Sequence, residues 1–186
     1  IQLGEDPAKV WNFGAPGIDS IKVLPLLTRE ALAESIEFDL VNWPYMLVTY
    51  HPVTLSPNGA VEDLKQMLEV LSNYPKYKFL ITYPNADTHG RLLIPLLEEF
   101  ERDHRDRVLL IQSLGQLRYL SALKYSDLVI GNSSSGLIEA PAFKVPTVNI
   151  GNRQKGRIAG ETVISCEGSK ESIHNAITLA FSDSFQ

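Results

Sequence analysis

The sequence is poor in cysteine and in positive charge, and it contains no long apolar run. Its single cysteine, Cys166, excludes an internal disulfide and favours a reducing cytoplasm. The 17 Lys and Arg residues are scattered and are outnumbered by 22 Asp and Glu residues, so we expect no nucleic-acid partner. No stretch reaches the ~18 apolar residues of a membrane span, and the first residues do not resemble a signal peptide. We therefore expect a cytoplasmic protein without a membrane partner.

Two common nucleotide-binding motifs are also missing. Gly131 and Gly136 have the spacing of a Walker loop, but Leu137 and Ile138 stand where that loop needs Lys and Ser or Thr. No G-x-G-x-x-G follows the first predicted strand, which argues against a dehydrogenase-type dinucleotide site. The sequence therefore gives no support for Mg²⁺-dependent phosphoryl transfer or for hydride transfer.

Nor does the chain show the spacing of metal ligands. His89, His104 and His174 lie far apart in the sequence, and we interpret them as surface or turn residues. Cys166 is interpreted as a small core residue. We predict no metal site and no cofactor.

What the sequence does contain is a regular alternation of strand-length and helix-length segments. Short runs rich in β-branched and aromatic residues predict strands, which lie at 45–52, 77–84, 107–114, 127–133, 146–151 and 161–166. Amphipathic segments predict helices, which lie at 57–72, 91–103, 116–125, 137–143 and 169–181. This alternation predicts a doubly wound, mostly parallel, Rossmann-like α/β sheet. Residues 1–40 are expected to form an extended segment with a helix capped by Thr28, and residues 41–186 the sheet domain.

Polar residues follow the predicted strands at the edge where such sheets bind ligands. His51 follows the first strand, Asn85 the second, Ser113 the third, "GNSSSG" the fourth and "GNRQKGR" the fifth. Each could instead be an ordinary turn residue or helix cap. Five such positions at one edge favour a ligand site.

The segment "GNSSSG" is interpreted as a site for phosphate. A helix start offers free N–H groups and the positive end of the helix dipole, glycine lets the backbone approach, and serine adds donors. Glu139 follows Ser135 by one helical turn. Its carboxylate either complements the dipole or accepts hydrogen bonds from the two hydroxyls of a ribose. The second reading predicts a nucleotide.

The segments 49–54 ("TYHPVT"), 83–90 ("YPNADTHG") and 131–157, which begins with "GNSSSGLIEAPAF" and ends with "NRQKGR", carry a family resemblance. They resemble the C-terminal half of the hydrolysing UDP-N-acetylglucosamine 2-epimerases of sialic-acid biosynthesis. The likeness extends over most of the chain, from "FGAPGID" to "GETVISC". Non-hydrolysing epimerases are less similar, because they carry an Arg-rich segment where this chain has Pro52-Val53-Thr54.

The resemblance implies a two-domain glycosyltransferase-B architecture whose C-terminal domain binds UDP and the UDP-sugar. It implies as partners the N-terminal domain of the same enzyme and, for the parent enzyme, further copies in a homo-oligomer. The UDP contacts that it implies are Asn85, Ser113, Leu114, Ser133, Ser134, Gly136, Glu139 and Arg153.

The resemblance also gives His51 a catalytic role. By residue type alone, a histidine before proline at a strand end is more often structural, but the matching histidine of the family lies near the diphosphate. There it would donate a proton to the departing UDP. The implied reaction expels UDP to give a glycal, to which water adds with inversion at C2 to yield N-acetylmannosamine.

Two other functional classes remain open from the sequence. One is the donor-binding domain of a UDP-sugar glycosyltransferase, against which "HPVT" and "NRQKGR" argue. The other is a non-catalytic nucleotide-sugar sensor. No convincing pair of catalytic carboxylates exists in the chain, although Glu161 could approach the cleft between the two implied domains. We therefore expect a UDP-binding half that is inactive alone.

Overall fold

A computed structural model of the chain describes residues 4–53, 57–85, 90–183 and 185. Within these ranges six parallel strands form one sheet, in the order β3-β2-β1-β4-β5-β6. The strands are β1 (Tyr45–Thr49), β2 (Lys78–Thr82), β3 (Val108–Ile111), β4 (Leu128–Gly131), β5 (Thr147–Ile150) and β6 (Val163–Cys166). The predicted doubly wound α/β sheet is confirmed. Strand order reverses between β1 and β4, so the topological switch point lies at their carboxyl ends.

Helices cover both faces of the sheet. They are α1 (Pro16–Val23), α2 (Arg29–Ser35), α3 (Pro57–Ser72), α4 (Gly90–Asp103), α5 (Gly115–Tyr125), α6 (Ser135–Ile138) and α7 (Lys170–Ala180). Helices α3, α4 and α7 pack together on one face, and α2 and α5 pack together on the other. Each face has its own apolar layer, with Met46, Val48 and Ile130 in the first and Leu47 and Val129 in the second. This alternation along buried strands is the two-residue period of a parallel sheet.

The first forty residues contain one more helix than the sequence predicted. A short 3-10 turn, Pro7–Lys9, precedes α1, whose first residue is a proline, the residue type favoured at that position. The predicted cap of α2 is confirmed, because Thr28 Oγ1 accepts a hydrogen bond of 3.2 Å from the N–H of Ala31. Helix α2 adds Leu32 to the second apolar layer. The domain division at residue 40 stays a prediction.

The helix predicted at 137–143 is wrong in its extent. The chain forms the single turn α6 and then a 3-10 turn, Ala140–Phe143. Pro141 has no N–H to continue an α-helical ladder, which explains the change of helix type. The segment after β4 is therefore a tight double turn and not a long helix.

Gly131 ends β4 in a conformation that other residues rarely adopt. Its φ is +138°, and a Cβ built there would lie 2.0 Å from the carbonyl oxygen of Thr49 on the neighbouring strand β1. Only glycine permits this close approach of backbones. The glycine thereby fixes where the chain leaves the sheet at the switch point. No helix in the described ranges is both long and apolar enough to cross a membrane.

Candidate functional site

The carboxyl edge of the sheet collects the polar residues that the sequence analysis placed there. His51 and Asn85 come after β1 and β2, Ser113 and Leu114 come after β3, and Arg153 comes after β5. Between them lies the segment 131–136 that follows β4, called here the serine loop. Parallel strands bring their carboxyl ends to one edge, which explains why residues distant in sequence meet.

A cleft of about 420 Å³, called here the edge cleft, opens beside β1, β2 and β3. Four of the predicted site residues line it, namely His51, Asn85, Ser113 and Leu114. The other predicted residues, in the serine loop, at Glu139 and at Arg153, do not line it. The candidate site therefore consists of a cleft and an adjoining loop.

Asn132 joins the two parts. Its side-chain Oδ1 accepts a hydrogen bond of 2.7 Å from the backbone N–H of His51. Its Nδ2 donates a hydrogen bond of 2.9 Å to the backbone carbonyl of His51. The serine loop and the residue proposed for catalysis are thus tied together by one asparagine that the sequence analysis did not single out.

The imidazole of His51 is held in one tautomer. The backbone N–H of Asn85 donates a hydrogen bond of 3.2 Å to its Nδ1. In the neutral ring the proton must then sit on Nε2, because a nitrogen that accepts a hydrogen bond is not protonated. The neutral ring of His51 therefore carries its proton on Nε2.

Arg153 and Gln154 bind the same atom of the serine loop. Arg153 Nη1 donates to the backbone carbonyl of Asn132 over 3.1 Å, and Gln154 Nε2 donates to it over 2.7 Å. Gln154 is buried, and its Oε1 has no hydrogen-bond partner among the described residues. The loop after β5 is therefore fastened to the serine loop, and Arg153 lies beside it.

The serine loop presents backbone donors. In the part of the chain that the structure describes, the N–H groups of Ser133 and Ser134 donate to no acceptor. The N–H of Ser135 is 3.4 Å from Ser133 Oγ, and that of Gly136 donates to the Ser133 carbonyl over 3.2 Å. Free N–H groups at a turn after a strand form a suitable concave site for an anion.

Gly136 has a packing role that its sequence motif did not reveal. A Cβ built on it would lie 2.7 Å from Thr147 Cγ2 on β5.

We expect Gly136→Ala to lower the free energy of unfolding by about 1–3 kcal/mol, because overpacking forces neighbours apart. Urea unfolding followed by circular dichroism measures the loss. The matched control is Gly156→Ala, whose Cβ would meet nothing within 4 Å, although its φ of +85° adds backbone strain. A smaller loss for Gly136→Ala than for this control would contradict the packing role.

Glu139 is half-buried beside α1. Burial raises the pKa of its carboxyl, and the neighbouring Ser135 hydroxyl and the backbone N–H of Glu139 partly offset that rise. A Cβ built on Gly17 of α1 would lie only 2.6 Å from Glu139 Oε1. Among the described residues Glu139 forms no ion pair, so its carboxylate is available as an acceptor.

Tyr119 is a site residue that the sequence analysis missed. Its ring lines the edge cleft, and its buried hydroxyl lies close to the hydroxyls of Thr49 and Ser135 and to Glu139. Among the described residues, the Tyr119 hydroxyl has no hydrogen-bond partner of standard geometry. Burial raises the pKa of this hydroxyl. An aromatic residue one turn into α5 was the available signal, but the pattern of an amphipathic helix concealed it.

The remaining candidates fall outside the site. The suggestion that Glu161 approaches the ligand cleft is wrong. Glu161 lines a different cleft, together with Asp127 and Pro146. Those two residues come just before β4 and β5, so this cleft lies at the opposite edge of the sheet. His104 lies in the turn after α4 and His174 is exposed on α7, which agrees with their interpretation as surface or turn residues, and His89 lies outside the described residues.

Cys166 is only half-buried, and burial raises the pKa of its thiol to about 11. It packs against the first apolar layer as expected of a small core residue. Over the described ranges, no group of His, Cys, Asp or Glu side chains is arranged to hold a metal ion.

Comparison with known proteins places the chain in a family. The sequence profile of the UDP-N-acetylglucosamine 2-epimerases matches residues 1–186. A GDP/UDP-N,N'-diacetylbacillosamine 2-epimerase (hydrolyzing) from Campylobacter jejuni is 36% identical, over 90% of this chain and 43% of the relative. The polysialic acid biosynthesis protein P7 from Escherichia coli is 35% identical, over 100% of this chain and 46% of the relative. The chain spans about half the length of these relatives.

A solved structure shows the same fold. The UDP-GlcNAc 2-epimerase of Methanocaldococcus jannaschii, crystallised with UDP-GlcNAc and UDP, superposes with a TM-score of 0.67 at 18% identity, over 100% of this chain and 51% of that one. Such epimerases have the glycosyltransferase-B architecture that the resemblance implied. The profile, the relatives and the fold agree, and the chain belongs to the UDP-N-acetylglucosamine 2-epimerase family.

Proposed function

We propose that this chain is the UDP-binding half of a hydrolysing UDP-N-acetylglucosamine 2-epimerase, which converts UDP-N-acetylglucosamine and water into N-acetylmannosamine and UDP. The observation that carries the proposal is the connection, through Asn132, between the histidine at the edge cleft and the serine loop. It brings a proton donor next to anion-binding backbone groups. Departure of a nucleoside diphosphate needs both.

The diphosphate is assigned to the serine loop. The free N–H groups of Ser133 and Ser134 supply neutral donors, and the Ser134 hydroxyl adds another. Arg153 lies beside this loop and supplies positive charge, which strengthens hydrogen bonds to phosphate oxygens. These groups replace the Lys and Mg²⁺ of a Walker site.

The nucleoside is assigned to Glu139 and to the edge cleft. A carboxylate accepts hydrogen bonds from both hydroxyls of a ribose, and Glu139 lies one turn beyond the serine loop. Ser113, Leu114 and Asn85 line the edge cleft, which has room for the uracil ring. Ser113 Oγ accepts from the N–H of Gly115 over 3.2 Å, so that hydroxyl shapes the turn and its neighbouring backbone faces the base.

Two observations favour the hydrolysing type. The relative from Campylobacter jejuni carries that activity in its name. This chain also lacks the Arg-rich segment that non-hydrolysing epimerases have after the histidine. We propose that the other half of the enzyme supplies the acid and base that act on the sugar, because no Asp or Glu lines the edge cleft in the described part of this chain.

The proposal is tested by titrating the chain with UDP and UMP in the presence of EDTA. We expect saturable binding without Mg²⁺, because the donors are backbone N–H, Ser and Arg groups. Isothermal titration calorimetry gives the affinity, and ATP serves as a control for binding of any nucleotide phosphate. Binding that requires added Mg²⁺, or equal affinity for ATP, would refute the assignment.

A further inference from the structure

We propose that Asn132 is the positioning residue of this site, holding His51 through its side chain while its main chain holds Arg153. The inference rests on the proposed function and deepens it. Asn132 is 1% exposed, so it acts through these residues and not by contact with the ligand.

The side chain of Asn132 fixes the backbone of His51 from both sides. It accepts from the His51 N–H over 2.7 Å and donates to the His51 carbonyl over 2.9 Å. These two hydrogen bonds require a side chain that carries one donor and one acceptor and has the length of asparagine. Aspartate lacks the donor, serine is too short, and glutamine is one methylene too long. The pair fixes the peptide unit from which the imidazole projects.

The main chain of Asn132 is fixed as well. Its N–H donates to the Thr49 carbonyl over 3.2 Å, which anchors it to β1. Its carbonyl accepts from Arg153 over 3.1 Å and from Gln154 over 2.7 Å. One residue thereby connects the ends of β1, β4 and β5. A shift of Asn132 would move His51 and Arg153 together, relative to the N–H groups of Ser133 and Ser134.

The first test is the near-isosteric variant Asn132→Asp, which keeps the acceptor and loses the donor. We expect UDP affinity to fall about tenfold, the equivalent of about 1.4 kcal/mol. We also expect the ring ¹⁵N shifts of His51 to move from the Nε2–H tautomer towards a mixture, because the backbone that aligns Nδ1 with the Asn85 N–H is released. The matched control is Asn149→Asp. Asn149 is likewise buried, at 5% exposure, and its Nδ2 donates a hydrogen bond of 3.1 Å to Ser165 Oγ. It should alter neither UDP affinity nor the His51 shifts.

A double-variant cycle separates positioning from charge repulsion. If Asn132 acts through His51, the tenfold effect of Asn132→Asp should shrink to about twofold or less in a His51→Ala background, because coupled residues are not additive. Repulsion between a new carboxylate and the diphosphate would persist at full size in that background. Additive losses, or unmoved His51 shifts in the single variant, would overturn the proposal.

A second variant covers the possibility that Asn132→Asp does not fold. Gln154→Met removes a donor to the Asn132 carbonyl, keeps the side-chain volume and also removes a buried Oε1 that has no partner in the described ranges. We expect it to fold and to bind UDP several-fold more weakly, and unchanged affinity would contradict the proposal. If the wild-type chain does not bind UDP at all, it is the proposed function that fails.

Discussion

Glu139→Ala should weaken UDP binding by at least about a hundredfold. If the carboxylate accepts a hydrogen bond from each ribose hydroxyl, its removal costs two charge-assisted hydrogen bonds of about 1.5–3 kcal/mol each, and every 1.4 kcal/mol is tenfold in affinity. Calorimetric titration of wild type and variant measures the change. The fold should survive, because Glu139 is half-buried at the rim of the sheet and forms no ion pair among the described residues.

Two further variants identify the cause. Glu139→Gln keeps the shape and loses the charge, so its affinity should lie between those of wild type and Glu139→Ala. Asp63→Asn is the matched control, because Asp63 is a carboxylate whose pKa is likewise raised by burial, but it lines a separate cleft beside Tyr50. It should leave UDP binding unchanged. Unchanged affinity for Glu139→Ala would mean that the carboxylate only complements the start of a helix.

The raised pKa of Glu139 predicts opposite effects on stability and on binding. The folded state binds the proton more tightly than the unfolded state, so the ionised group lowers the free energy of unfolding as pH rises above its ordinary value of 4.5 and through the raised value. At pH 7, Glu139→Gln should therefore have an equal or higher Tm than wild type while binding UDP more weakly. Thermal unfolding at pH 7 and pH 4 checks the sign, since the difference should disappear at the lower pH.

The second large effect is a complete lack of turnover. Given UDP-N-acetylglucosamine, the chain should bind it yet release neither UDP nor N-acetylmannosamine above background. His51 can donate one proton, but a second group must remove the proton at C2 from within about 2.6–3.2 Å. The edge cleft offers no carboxylate for that step in the described part of the chain. Closure of a second domain would also be needed to keep water from the glycal.

A coupled UDP-release assay on the chain alone decides this point. Turnover that disappears in His51→Ala would show that the chain carries a complete active site and would contradict the proposal. The full-length enzyme that we propose is the positive control, and free N-acetylmannosamine detected by NMR would identify it as a hydrolysing epimerase. A transferase would consume the donor sugar only with an acceptor present. A sensor would bind without turnover in either form.

The sequence by itself determined the sheet and the edge that carries the site. Buried parallel strands are apolar on both sides, so the runs around Leu47, Leu80 and Val129 identified them with bounds that differ by at most three residues. The polar residues that interrupt those runs identified the carboxyl edge, including His51 and Asn85. Local patterns suffice here because strand burial and strand ends depend on neighbouring residues in the sequence.

Only the tertiary structure decided which of these residues act together. The bonds from Asn132 to His51 span 81 positions, and those from Arg153 and Gln154 span 21 and 22. No local pattern encodes such pairs, because they arise when strands distant in sequence become neighbours at the switch point. The same holds for Glu161, which the order of strands and loops places at the opposite edge, and for Tyr119, whose position beside Ser135 depends on how α5 packs against the sheet.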